Sequence, residues 1–95
     1  MIGDFQNIVV PVSILRDSRI EDSGKLLYGL VRSRSSGFGY CTAKNKEFAF
    51  QLNLSAKRVS FLLGKLKQLG YLRREVIRDA ETNEIMERRL YPANK

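Results

Sequence analysis

Six side chains within one short stretch, Ser55, Lys57, Arg58, Ser60, Phe61 and Lys65, offer positive charge, hydroxyl groups and an aromatic ring but no carboxylate. Cations without a neutralising acid do the chemistry of holding an anion rather than of moving a proton. Lysine and arginine also match guanine O6 and N7, so Lys57 and Arg58 suit either a base edge or a phosphate, and the sequence leaves that choice open. Ser55 is placed to cap a helix, which would turn the first backbone N–H groups and the positive end of the helix dipole toward the same anion. Phe61 has two readings: contact with a thymine methyl or a partner subunit, or packing against the loop at 33–39 or the C-terminal hairpin.

The charge of the whole chain agrees with this local chemistry. Lys and Arg number 17 against 10 Asp and Glu, a net charge of +7. The pI is near 9.9, which favours a polyanionic partner or an anionic surface. Residues 55–78 carry seven bases against the single acid Glu75, so most of the excess lies in this one region.

Positioning these residues requires two helices and a tight turn. Ala49, Asn53 and Val59 follow one another at intervals of four and six. A small residue lets a second helix cross the first closely, and asparagine accepts the left-handed backbone that ends a helix without a long linker. A β-branched residue one turn into the next helix then packs against both. Phe48, Leu52, Leu54, Leu62, Leu63 and Leu66 fill the inward positions of such a unit. The first helix is expected over 42–51, capped by Thr42 or Asn45, and the second from Ser55 to about Leu69, closed by Gly70. Lys44 and Lys46 at the start of the first helix would then reach phosphates across the groove that the second helix occupies.

Around this unit the chain reads as one α+β, mainly α, domain. An extended arm or edge strand covers 1–12 and ends at Pro11, which also opens a short helix with Ile14 and Leu15 inward. Across 13–35 the first long helix starts at Ser23 and turns Leu26, Leu27, Leu30 and Val31 to one face. Gly24 and Gly29 lower its propensity but allow another backbone to approach. Residues 33–39 are a loop, and Tyr40 and Cys41 suffice for a two-residue strand pairing. Residues 71–91 alternate as two strands around the turn sequence DAETNE, a hairpin whose base packs on the helices and whose tip projects. Arg78 lies nearest that tip, and Arg88 belongs to the returning strand. Arginines at the base have Glu75, Glu87 and Asp79 as possible partners across the strands.

Several function classes are disfavoured. Without histidine, a glycine-rich phosphate loop or paired acids, no acid-base or nucleophilic arrangement assembles, and no catalysis, cofactor or metal is expected. Cys41 is single and reads as a small buried hydrophobe, compatible with a reducing cytoplasm. No run of about 20 apolar residues and no secretory leader is present, so a membrane association is not expected.

The segments VPVSILRD, SGKLLYGLV, the helix-turn-helix, GYL and RRLYP, in that order, resemble the winged-helix domain at the N-terminus of plasmid and phage replication initiators and replisome organisers. The likeness runs from about Phe5 to Pro92 and is most specific at KLLYGLV and at the YP that closes the hairpin. It implies a winged helix-turn-helix with three main helices, a C-terminal β-hairpin wing and a short N-terminal arm. It further implies binding to double-stranded DNA, often at repeated sites and commonly as a homodimer. Recognition would fall on residues 55–65 and the wing role on residues 78–88. Transcription regulators of mobile elements share this shell, and some winged domains serve only as protein-interaction modules. Initiators of this kind continue into a second domain that recruits a replication protein, whereas this sequence stops soon after the hairpin. Gly64 departs from a good helix former in the middle of the recognition segment, as a close-approach site or a weakness.

Overall fold

The computed structural model describes residues 7–93, and the expected arm at 1–6 lies outside them. Pro11 fixes an extended backbone and its carbonyl accepts from Ile14 and Leu15, opening the one-turn helix α1, Val12–Leu15. Residues 7–10 belong to no helix or strand, so this part of the arm is not an edge strand. One turn can present only one side inward: Ile14 is fully buried, whereas Leu15 is exposed, contrary to expectation.

Helix α2, Asp22–Arg34, is capped by Glu21, two residues before the expected cap Ser23. Its inward stripe is Leu27, Tyr28, Leu30 and Val31, and Leu26 is left half-exposed. Tyr28 is a fully buried core residue, not one at the core edge; its hydroxyl donates to the Ala93 carbonyl and its ring meets Tyr71 edge-on. Both glycines of α2 are close-approach positions. A Cβ at Gly24 would stand 2.8 Å from Ile20 and 3.7 Å from Leu62, and one at Gly29 would stand 2.8 Å from Ile8. Gly29 therefore admits the arm, not a helix.

Helices α3, Asn45–Leu52, and α4, Ala56–Gln68, meet through a tight turn. Asn53 adopts the left-handed conformation at φ 56°, and the Leu54 N–H donates to the Ala49 carbonyl at 2.9 Å. Ala49 and Val59 are both buried, so the three spaced residues have the steric roles assigned to them. The cap of α3 is Lys44, and neither Thr42 nor Asn45: the Glu47 carboxylate reaches back to accept from the Lys44 N–H at 2.9 Å. That contact, first, and the nearby Arg34 hold the Glu47 carboxyl below its ordinary range. At α4, Ser55 Oγ accepts from the Arg58 N–H at 3.0 Å, and Gly70 at φ 83° closes the helix.

Strands β1, Leu72–Arg78, and β2, Ile85–Pro92, pair antiparallel, with a register shift between Ile77 and Arg78 beside the turn. Asp79 stabilises the turn by accepting from the N–H groups of Glu81 and Thr82. Cys41 is bridged to Leu90 by two reciprocal backbone bonds of 2.9 Å each, which ties the loop after α2 to the hairpin base. Cys41 is buried, and burial pushes its thiol up from the ordinary value. Leu72 and Leu90 join Phe48, Leu62 and Leu66 in one core, and the Cα radius of gyration, 13.3 Å, is that of a single packed unit. Among the described residues the architecture is thus α+β: four helices, one of them a single turn, and a two-stranded antiparallel hairpin.

Candidate nucleic-acid interface

Helix α4 buries Val59, Leu62, Leu63 and Leu66 and turns the rest of its surface outward. No acid occurs along it. Its N-terminal end presents exposed Lys57 and, one turn on, Ser60 beyond the Ser55 cap, so cation, hydroxyl and free helix N–H groups share one end. Arg58 is placed differently. Its guanidinium pairs with Glu21 at the start of α2 and lies over the Phe61 ring at 5.0 Å, so it faces α2 and its charge is partly balanced. Phe61 is 60% exposed and borders a depression shared with Ile20, Gly24 and Lys65, not the loop at 33–39 and not the hairpin. Lys65 is half-buried in that depression.

Lys44 and Lys46 are exposed at the start of α3. Phe50, one turn beyond Lys46, is 85% exposed and shares a shallow depression with it and Arg34. The four-residue spacing of Lys46 and Phe50 was available in the sequence and would have identified this pair. At the far end of the hairpin Arg78 is exposed and donates to the Asn83 carbonyl at 3.0 Å. Exposed Ile85 and Met86 stand next to it, Ile85 opposite Arg78 in the register.

Arg88 is not at the tip. Opposite Val76 in the register, it is half-buried midway along the hairpin and donates to Asn45 Oδ1 and to the Ala43 carbonyl. It thereby pins the start of α3 to β2. Burial lowers the proton affinity of this guanidinium, and the positive charge of Arg74 lowers it further. Between α4 and this side of the hairpin is a cavity of about 220 Å³, lined by Asn45, Ser60, Gly64, Lys67, Arg74 and Arg88 over the apolar floor of Leu63, Leu72 and Leu90.

The opposite side of the hairpin has another character. Arg73 lies over the Tyr91 ring at 4.1 Å and Arg89 over the Tyr40 ring at 4.6 Å, and the two tyrosine rings are 5.5 Å apart. Phe38, 81% exposed, extends the row at 5.9 Å from Tyr40. Arg89 pairs with Glu87, and Tyr91 donates to Glu75, so two acids accompany the two arginines.

The structure therefore brings Ser55, Lys57 and Ser60 together, sets Lys44 and Lys46 at the start of the adjoining helix, and separates Arg78, exposed at the tip, from Arg88, half-buried midway along the hairpin. Among the described residues no group of three or more His, Cys, Asp or Glu could hold a metal ion, and no helix is long and apolar enough to cross a membrane. No family model, curated protein or solved structure matches the chain.

Proposed function

We propose that this chain is a winged helix-turn-helix domain that binds double-stranded DNA with sequence preference, α4 lying in the major groove and the hairpin acting as the wing near the adjacent minor groove. The observation that carries the reading is the outward face of α4: a Ser55 cap, Lys57 and Ser60 exposed beside it, and no acid on the helix. The first turn of such a helix is the part that reaches base edges, while Lys44, Lys46 and Lys65 serve as phosphate contacts. Arg78, with Ile85 and Met86 beside it, is suited to a narrow groove at the hairpin tip. The resemblance in sequence adds the role, a replication initiator of a plasmid or phage working as a homodimer on repeated sites, or else a small transcription regulator of a mobile element.

Fluorescence anisotropy of duplex DNA across a salt series, followed by selection of preferred sequences, tests this reading. Binding should fall steeply with salt and enrich one motif. Lys57→Ala should cost about 1–3 kcal/mol on the preferred site and relax its selectivity. No binding at low salt would refute the reading.

A second reading, a protein-interaction module, is favoured by the row Phe38, Tyr40 and Tyr91, whose arginines are accompanied by acids and whose exposed ring suits a protein partner. Binding through that row would respond little to salt.

A further inference from the structure

On an A- or B-form duplex the wall between the major and minor grooves is a sugar-phosphate strand. A protein with one element in each groove must straddle that strand, so some part of the protein between the two elements faces phosphate. Here the part between α4 and the hairpin is a cavity, and its charge is of one sign. Lys67 from α4 and Arg74 and Arg88 from the strands border it, and no carboxylate does. Neither Lys67 nor Arg74 has an ion-pair partner among the described residues, and the two acceptors of Arg88 are neutral. The volume, about 220 Å³, exceeds that of several water molecules at about 30 Å³ each, enough for a tetrahedral phosphodiester.

Gly64 supplies an independent observation. It sits in the middle of α4, where glycine weakens a helix relative to alanine. At Gly24 and Gly29 a neighbouring side chain explains the glycine, but a Cβ at Gly64 would meet nothing within 4 Å. Among the described residues nothing crowds the place of the missing side chain, and the space it leaves opens into the cationic cavity.

Resting on the DNA-binding reading above, we propose that the cleft between α4 and the hairpin seats one backbone phosphate of the bound duplex, held by Lys67, Arg74 and Arg88, with Gly64 leaving the room for its approach. The contact is sequence-independent and fixes the angle between the recognition helix and the wing on the duplex.

The test is anisotropy over a salt series on the duplex selected by the wild type, with Lys57→Ala, Lys67→Ala, Arg74→Ala, the Lys67→Ala/Arg74→Ala pair and Gly64→Ala, alongside thermal melting of each protein. Lys67→Ala and Arg74→Ala should weaken all sequences equally. Because both grip one phosphate, the pair should lower the log–log salt slope by at most about 0.9, and not by twice that as two separate phosphate contacts would. Gly64→Ala should raise the melting temperature of the free protein by about 4–8 °C while lowering affinity about tenfold, a split that a merely structural glycine would not give. If Lys57→Ala weakens binding but Gly64→Ala and both cleft variants bind as the wild type does, the cleft is vacant in the complex and the inference fails while the function stands. If the wild type binds no duplex, both fail. A drop in melting temperature for Gly64→Ala would also overturn the argument from that residue. So would inorganic phosphate raising the melting temperature as much as the duplex does, which would assign the cleft to a free anion.

Discussion

The two faces of the hairpin carry the same residue types with opposite consequences. Arg73 and Arg74 are neighbours in sequence, as are Arg88 and Arg89, and the two-residue period of a strand sends the members of each pair to opposite sides. On the outer side Arg73 and Arg89 lie over tyrosine rings, and Glu75 and Glu87 keep that surface close to neutral. On the side toward α4, Arg74 and Arg88 join Lys67 around a cavity without an acid. Positive charge unaccompanied by acids lies on the inner side. A count of basic residues would rank the two faces equally; pairing distinguishes them.

The sharpest way to break this comparison is charge reversal. Replacing Lys67 and Arg74 together by glutamate should lower duplex affinity about 100-fold in anisotropy at 0.15 M salt. The same change at Arg73 and Arg89 should lower it only a few-fold, because charges more than a Debye length of about 8 Å from the backbone are screened. Equal losses would mean that the faces do not differ in use. Next in size is folding stability, read by urea denaturation. Arg88→Ala removes two hydrogen bonds from a charged donor and should cost about 2 kcal/mol, whereas Arg89→Ala, losing a surface pair and a ring contact, should cost about 0.5–1 kcal/mol. Tyr91→Phe should cost about 0.5 kcal/mol, since it removes the bond to Glu75 and keeps the ring under Arg73.

The smallest expected effect concerns pH and the start of the hairpin, where Tyr71 donates to Asp17 at 2.7 Å. Arg19 first, and then Tyr71, hold the Asp17 carboxyl well below the usual carboxylate range. A group depressed in the folded state stabilises it above the unfolded value, near 3.9, and that contribution disappears as pH falls through the folded value. Melting temperature should therefore decline on acidification below about pH 4 by less in Asp17→Asn than in the wild type. The difference should be modest because water screens the exposed Arg19.

The parts of this architecture that were legible in the sequence are those set by local sterics. Ala49, Asn53 and Val59, the Ser55 cap, Gly70 and the turn after Asp79 each act through neighbours within a few residues. The inward stripe of α4 follows from helical period in the same way. Where sequence reading erred, the deciding partner was remote or the element too short. Leu15 is turned outward by a helix of one turn, and Glu21 displaced Ser23 at the cap of α2. Arg58 faces Glu21, 37 positions away. The cleft was invisible for a like reason: Asn45, Gly64, Lys67, Arg74 and Arg88 come from four elements and share no spacing. Gly64 was legible as an anomaly, but only the empty space around it in three dimensions gave the anomaly a direction.

The reciprocal bridge between Cys41 and Leu90 makes the thiol a built-in stopwatch for the hairpin. Its sulfur is sheltered while the bridge holds, and burial keeps it in the protonated, unreactive form. Alkylation can proceed only during excursions in which the loop and β2 part, so the labelling rate of this single cysteine reports how often the hairpin lifts away, without any added probe. A ligand held across Tyr40 of the loop and Tyr91 of β2, or one that clamps the hairpin against the helices, would slow that clock.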